Sequence, residues 1–183
     1  GVPTSKVTTV GEAYEREIWG EGRVVPPALT KDAGAILSDC VNAVEDEAGS
    51  GEAVRVAYRD LAGVDLPSGE WPESLYAALS KSELAFQLSE ALATPRPLYE
   101  LPAELEQKIG RPVTEAEILC WLTLGAAARY QGRPLLRPVV HGFLRGISGA
   151  VVSFPEGHPG PRLWLAAEDE IEEGGTEVKH AHF

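Results

Sequence analysis

Cysteine is almost absent: Cys40 and Cys120 are the two in 183 residues. Each stands inside an apolar helical pattern, which excludes a disulfide framework or an all-cysteine zinc cluster within the chain and predicts buried thiols. Long hydrophobic runs are missing as well. No stretch approaches the roughly 20 apolar residues that a bilayer-spanning helix needs. The opening "GVPTSKVTTVGEAYEREIW" has neither the basic start nor the apolar block of a signal peptide, so the expected location is cytoplasmic, with no membrane partner. Basic charge is also scarce. Sixteen Lys and Arg against 28 Asp and Glu leave a net charge of −12, which argues against a general nucleic-acid coating protein, because phosphate contacts need clustered cations. No Walker-type loop occurs. "GEGRVV" and "GSGEAV" carry glycines but no lysine and follow no buried strand, so both read as plain loops, with no cofactor and no ATP hydrolysis expected of this chain.

Hydrophobic residues make up 44% of the chain, an ordinary share for a folded domain. Residues 1–29 show no sustained period and read as a connector with room for one strand. Thr30 is placed to cap a helix whose apolar residues Ala33, Leu37, Cys40, Val41, Val44 and Ala48 recur at three and four residues, before "GSG" ends it. The same spacing predicts a second helix over 52–62. Pro72 suits the first turn of a third helix and Ser82 caps a fourth, stopped by "TPRP". Pro102 opens a fifth helix that Gly110 closes. Thr114 and Glu117 then stand at capping-box spacing ahead of a long helix running to about Tyr130. Three strand candidates follow, "VVHGFL", "AVVSF" and "RLWLA", separated by turn-rich segments.

This order predicts an α+β fold: a helical bundle leading into a winged-helix-like unit with a small antiparallel β-meander. The expected divisions are the connector 1–29, a helical hairpin 30–70, the winged-helix-like module 71–166 and an acidic tail 167–183.

Charge is unevenly spread. Residues 96–145 hold seven basic and five acidic side chains, a local net charge of +2, which leaves −14 for the rest. Within that window Arg129, Arg133 and Arg137 lie four residues apart where the long helix exits, and Arg145 follows the first strand candidate. Guanidinium groups in such a stripe can clamp phosphates bidentately. Equally, exposed arginines can solvate a surface or pair with the protein's own acids. The long helix is apolar on nearly every face and is expected to be mostly buried. Glu115 and Glu117 in its first turn would repel phosphate, so the helix exit and the wing are the better nucleic-acid candidates.

Other constellations are weaker. Ser153, His141 and an acid compose a triad on paper, but no nucleophile elbow accompanies them, and a sheet histidine bonded to backbone or packed on Phe143 and Trp164 is the simpler account. No catalytic residue is assigned. His180 and His182 alternate in "KHAHF", but two ligands do not make a metal site. A rival function is protein interaction, with Trp71, Tyr76, Phe86 and Trp164 as a docking patch and the acidic tail setting partner choice.

The blocks "PESLYAAL", "FQLSEAL", "PLYELPAELEQKIGRPVTEAEILCWLTLGAAA" and "RPLLRPVVHGFLRGISGAVVSF" together resemble an accessory region of large bacterial superfamily 2 helicases of the DEAD/DEAH-box type, over roughly residues 72–165. The resemblance implies a region adjoining RecA-like motor domains of the same polypeptide and working beside nucleic acid. It also implies that the hairpin carrying His141, Phe143 and Arg145 precedes a cysteine-rich zinc segment, and no cysteine stands between Arg145 and Phe183 here. No position matches an ATPase motif of those helicases, so no motor residue is transferred.

Overall fold

The structure is a computed structural model that describes residues 18–46, 49–141, 144–145, 151–152 and 162–165. It is α+β, with six α-helices among the described residues and short antiparallel strands, one before the fifth helix and the rest after the sixth. Helix α1 spans Ala33–Glu45, α2 Glu52–Ala62, α3 Trp71–Leu79 and α4 Glu83–Ala91. Strand β1 (Arg96–Pro97) and a 3-10 turn lead into α5 (Leu101–Ile109), followed by α6 (Glu115–Ala127). The strands β2 (Arg129–Tyr130), β3 (Arg133–Pro134), β4 (Pro138–His141), β5 (Leu144–Arg145), β6 (Val151–Val152) and β7 (Arg162–Leu165) complete the described chain.

Local chemistry explains most boundaries. Ser82 accepts a hydrogen bond from the Ala85 amide and Thr114 accepts one from the Glu117 amide, so each satisfies a donor that the helix start leaves unpaired. Gly63 and Gly110, both with positive φ, close α2 and α5. The cap of α1 is Asp32, not Thr30: Asp32 Oδ2 accepts from the Ala35 amide at 3.0 Å. Its carboxylate sits at the positive end of the helix dipole, an advantage that a hydroxyl lacks.

Helix α6 lies at the centre. It is buried continuously from Glu117 to Gly125 and packs against each of the other five helices and β3. Its apolar residues cover all faces because neighbours cover all faces. The core runs without a break from Ile36 on α1 to Leu163 on β7, with Leu75, Leu84, Leu88, Leu105, Ile118 and Trp121 between them. The hairpin of α1 and α2 thus packs into the same interior as the later helices and the sheet.

Residues 18–29 are tied down. The Arg23 guanidinium lies 3.7 Å from the Phe86 ring centre and donates to Glu83 at 2.8 Å, while Trp19 meets Phe86 edge-on. Val24 forms a bridge to Ser82, the one contact in this segment that resembles the anticipated strand.

The sheet departs from the meander expected of it. β7 is its middle strand, with β1 on one side and β4 on the other, both antiparallel. β5 pairs separately with β6. A meander would put neighbours in sequence side by side, whereas here the last strand inserts beside a two-residue strand from before α5. That short strand carries a proline and no alternating pattern, so periodicity could not reveal it.

Candidate nucleic-acid interface

The four arginines singled out in the sequence do not share a helix face. Helix α6 ends at Ala127, where Ala128 turns to an extended conformation and its amide donates to the Leu124 carbonyl. Arg129 and Arg133 then stand on a β-hairpin, paired as Arg129 with Pro134 and Tyr130 with Arg133. The two turn residues, Gln131 at φ 52° and Gly132 at φ 79°, both take the left-handed conformation that a tight two-residue hairpin needs. The expected helical exit is therefore corrected: the run Ala126–Ala128 favours helix, but the turn after Tyr130 and the proline at 134 favour a hairpin.

The hairpin is held against the body at both ends. On entry, the Arg129 guanidinium folds back and donates to the carbonyls of Ala126 and Ala128, at the negative end of α6. Burial, with the like charge of Arg137 added to it, holds the Arg129 guanidinium below its ordinary pKa. It remains a cation at neutral pH. On exit, the Leu136 amide donates to the Gly125 carbonyl at 3.1 Å, and a Cβ on Gly125 would come 2.4 Å from Leu136 Cδ1. Gly125 is thus what lets the chain approach α6 closely enough to set Arg137 beside Arg129.

Arg133 is exposed and Arg137 half-buried. Arg145 lies on β5 and His141 on β4, opposite Arg162, but the side chains of both fall outside the described residues. Arg129 is thus mainly a helix-end clamp that places the hairpin, and Arg133 is the most exposed of the three whose burial is described. Between Glu117 and Glu156 the sequence contains no acidic residue, while it holds four arginines and His141. In a chain this acidic, that run is the longest stretch of sequence without an acid.

Tyr130 was not foreseen. Its ring leans on Tyr76 of α3, with centroids 5.5 Å apart and planes tilted by 31°, and 49% of Tyr130 remains exposed. The signal was present in "RYQGR", an aromatic between arginines, but its assignment to a helix hid it.

Two other cations of the basic window are engaged internally. Arg96 pairs with Glu104 at 2.6 Å and reaches Glu100 at 3.7 Å. Arg111 holds Glu117 with two bonds of 2.9 and 2.7 Å, and also donates to the Pro26 carbonyl. Trp121 Nε1 adds a third donor to Glu117 at 3.2 Å. Glu117 therefore faces the interior, neutralised by Arg111. The expectation that it would repel phosphate from the start of α6 is corrected, since a carboxylate with three strong donors inside gains more there than at the helix surface.

Three residues of the docking patch are described, and of these only Tyr76 is fully buried. Phe86 lies under Trp19 and Arg23, and Trp71 is half-buried with its ring against Gly51. The Trp164 side chain lies outside the described residues. Cys40 and Cys120 are both fully buried, and the hydrogen bond between them, followed by burial, pushes the Cys120 thiol up. A protonated buried thiol is no nucleophile. Among the described residues no three His, Cys, Asp or Glu side chains are grouped to hold a metal, and no helix is long and apolar enough to cross a membrane. Ser153, His180, His182 and the acidic tail lie outside the described residues. No protein-family model, curated protein or solved structure matches this chain.

Proposed function

We propose that this chain is a non-catalytic accessory domain of an ATP-driven nucleic-acid helicase, built on a winged-helix-like unit and contacting a strand beside the RecA-like motor domains of the same polypeptide. The observation that carries the reading is the acid-free run 118–155, whose arginines are borne on the hairpin, on β5 and, for Arg137, on the link that leads into β4. Cations supply the salt-dependent phosphate contacts that dominate nucleic-acid affinity, and along the sequence these four arginines fall in a run that holds none of the 28 acids of the chain. A second support is the order of elements from α4 onward: helix, short strand, two helices, then strands of which the last lies in the middle of the sheet. That is the order of a winged helix. Because α6 is enclosed by other helices, the contact falls to the hairpin and the wing, and not to a helix lying in a groove.

The test is fluorescence anisotropy of labelled single-stranded and forked DNA at low ionic strength. The unmodified chain is expected to bind weakly, and the combined variant R133E/R137E/R145E to bind about tenfold more weakly or worse, since three attractive charges become repulsive. No binding at low salt by the unmodified chain, or equal binding by the variant, would overturn the reading.

A further inference from the structure

We propose that Tyr130 is a stacking platform for one unpaired base, so that the hairpin Arg129–Pro134 takes single-stranded nucleic acid as a base-and-phosphate pair and not as a row of phosphates alone. The inference rests on the preceding reading of this surface as a nucleic-acid interface and names what that interface recognises. Aromatic residues in folded proteins are usually buried. Of the four described tyrosines, Tyr58 and Tyr76 are buried, whereas Tyr99 and Tyr130 keep 50% and 49% of their surface in solvent, and of these two only Tyr130 stands on a tight hairpin between arginines.

Three features fit it to a base. Tyr76 lies beside the ring at 5.5 Å, so one side of Tyr130 is supported and its orientation is set before any ligand arrives. The turn through Gln131 and Gly132 fixes the strands on either side of it. Tyr130 and Arg133 are also direct cross-strand partners, and residues so paired project from the same face of a ladder with Cβ atoms about 5 Å apart. An aromatic ring and a guanidinium at that spacing can engage the base and the phosphate of one nucleotide. Arg137, three residues beyond the end of the hairpin, adds a further positive charge. An unpaired strand can present either face of every base, whereas a duplex exposes only the outer face of its terminal pair, so the fit is to a single strand.

The experiment compares two fluorescent oligonucleotides of equal length, oligo(dT) and its abasic counterpart, which keeps every phosphate and lacks the bases. The unmodified chain is expected to bind oligo(dT) about tenfold more tightly than the abasic strand. Y130L, which retains an apolar cover for Tyr76, is expected to lose that tenfold preference while binding the abasic strand as before; Y130W is expected to keep it. R133E should weaken both strands. Y130L binding oligo(dT) like the unmodified chain, or weakening both strands equally, would refute the stacking platform while R133E sensitivity leaves the phosphate-binding surface standing. Absence of binding to either strand would remove both.

Discussion

Replacing Glu117 with leucine is expected to lower the stability of the protein by about 3–5 kcal/mol. The carboxylate is 2% exposed and accepts from Arg111 twice and from Trp121 once. Without it, the Arg111 guanidinium keeps only the carbonyls of Pro26 and Pro112, and the indole N–H is left in the core without its acceptor. An unpaired buried charge is the costly outcome. Removing both partners is a different experiment, because a well-packed apolar pair often matches a buried ion pair in stability. R111M/E117L is therefore expected to recover most of the loss. Urea unfolding followed by tryptophan fluorescence measures both, and an E117L loss of less than about 1 kcal/mol, the worth of an exposed pair, would show that the carboxylate is not enclosed as described.

Leu163→Ala is expected to cost about 2–5 kcal/mol, the range for a fully buried leucine that leaves a cavity. Leu163 is 0% exposed and sits on the middle strand of the sheet, opposite Arg96 on one side and Val140 on the other. The adjoining Leu165 amide donates to the Leu92 carbonyl just beyond the end of α4. If helices and sheet share one interior, the loss appears as a shift of a single cooperative unfolding transition, monitored together by far-ultraviolet circular dichroism and by tryptophan fluorescence. Two separated transitions, with the helical signal unmoved, would mean that the sheet is an appendage.

What the sequence could reveal followed local chemistry. Ser82, Thr114, Gly63 and Gly110 act at helix ends through hydrogen bonds and positive φ that one or two residues determine, and the spacing of apolar residues located all six helices. Failures came where distant partners decide. The box at Thr114 forms only on the threonine side, since Glu117 is drawn inward by Arg111 and Trp121. The three alanines before Arg129 continued a helical pattern, and Gln131 is an unusual residue for a left-handed turn position, so the hairpin and the exposure of Tyr130 went unseen. Periodicity likewise marks Tyr76 and Phe86 as apolar without showing which is enclosed: Tyr76 is buried and Phe86 half-buried. The strand order was invisible because β1 is two residues long and its partner follows more than sixty residues later.

The arginine surface is the central claim, and the salt dependence of single-strand affinity tests it most directly. With two to four arginines on phosphates, the logarithm of the association constant for oligo(dT) should fall against the logarithm of salt concentration with a slope of about −1.4 to −2.8. R133E/R137E removes two of those contacts and should make that slope less steep by about 1.4. A slope near zero in the unmodified chain, or an unchanged slope in the variant, would contradict the account.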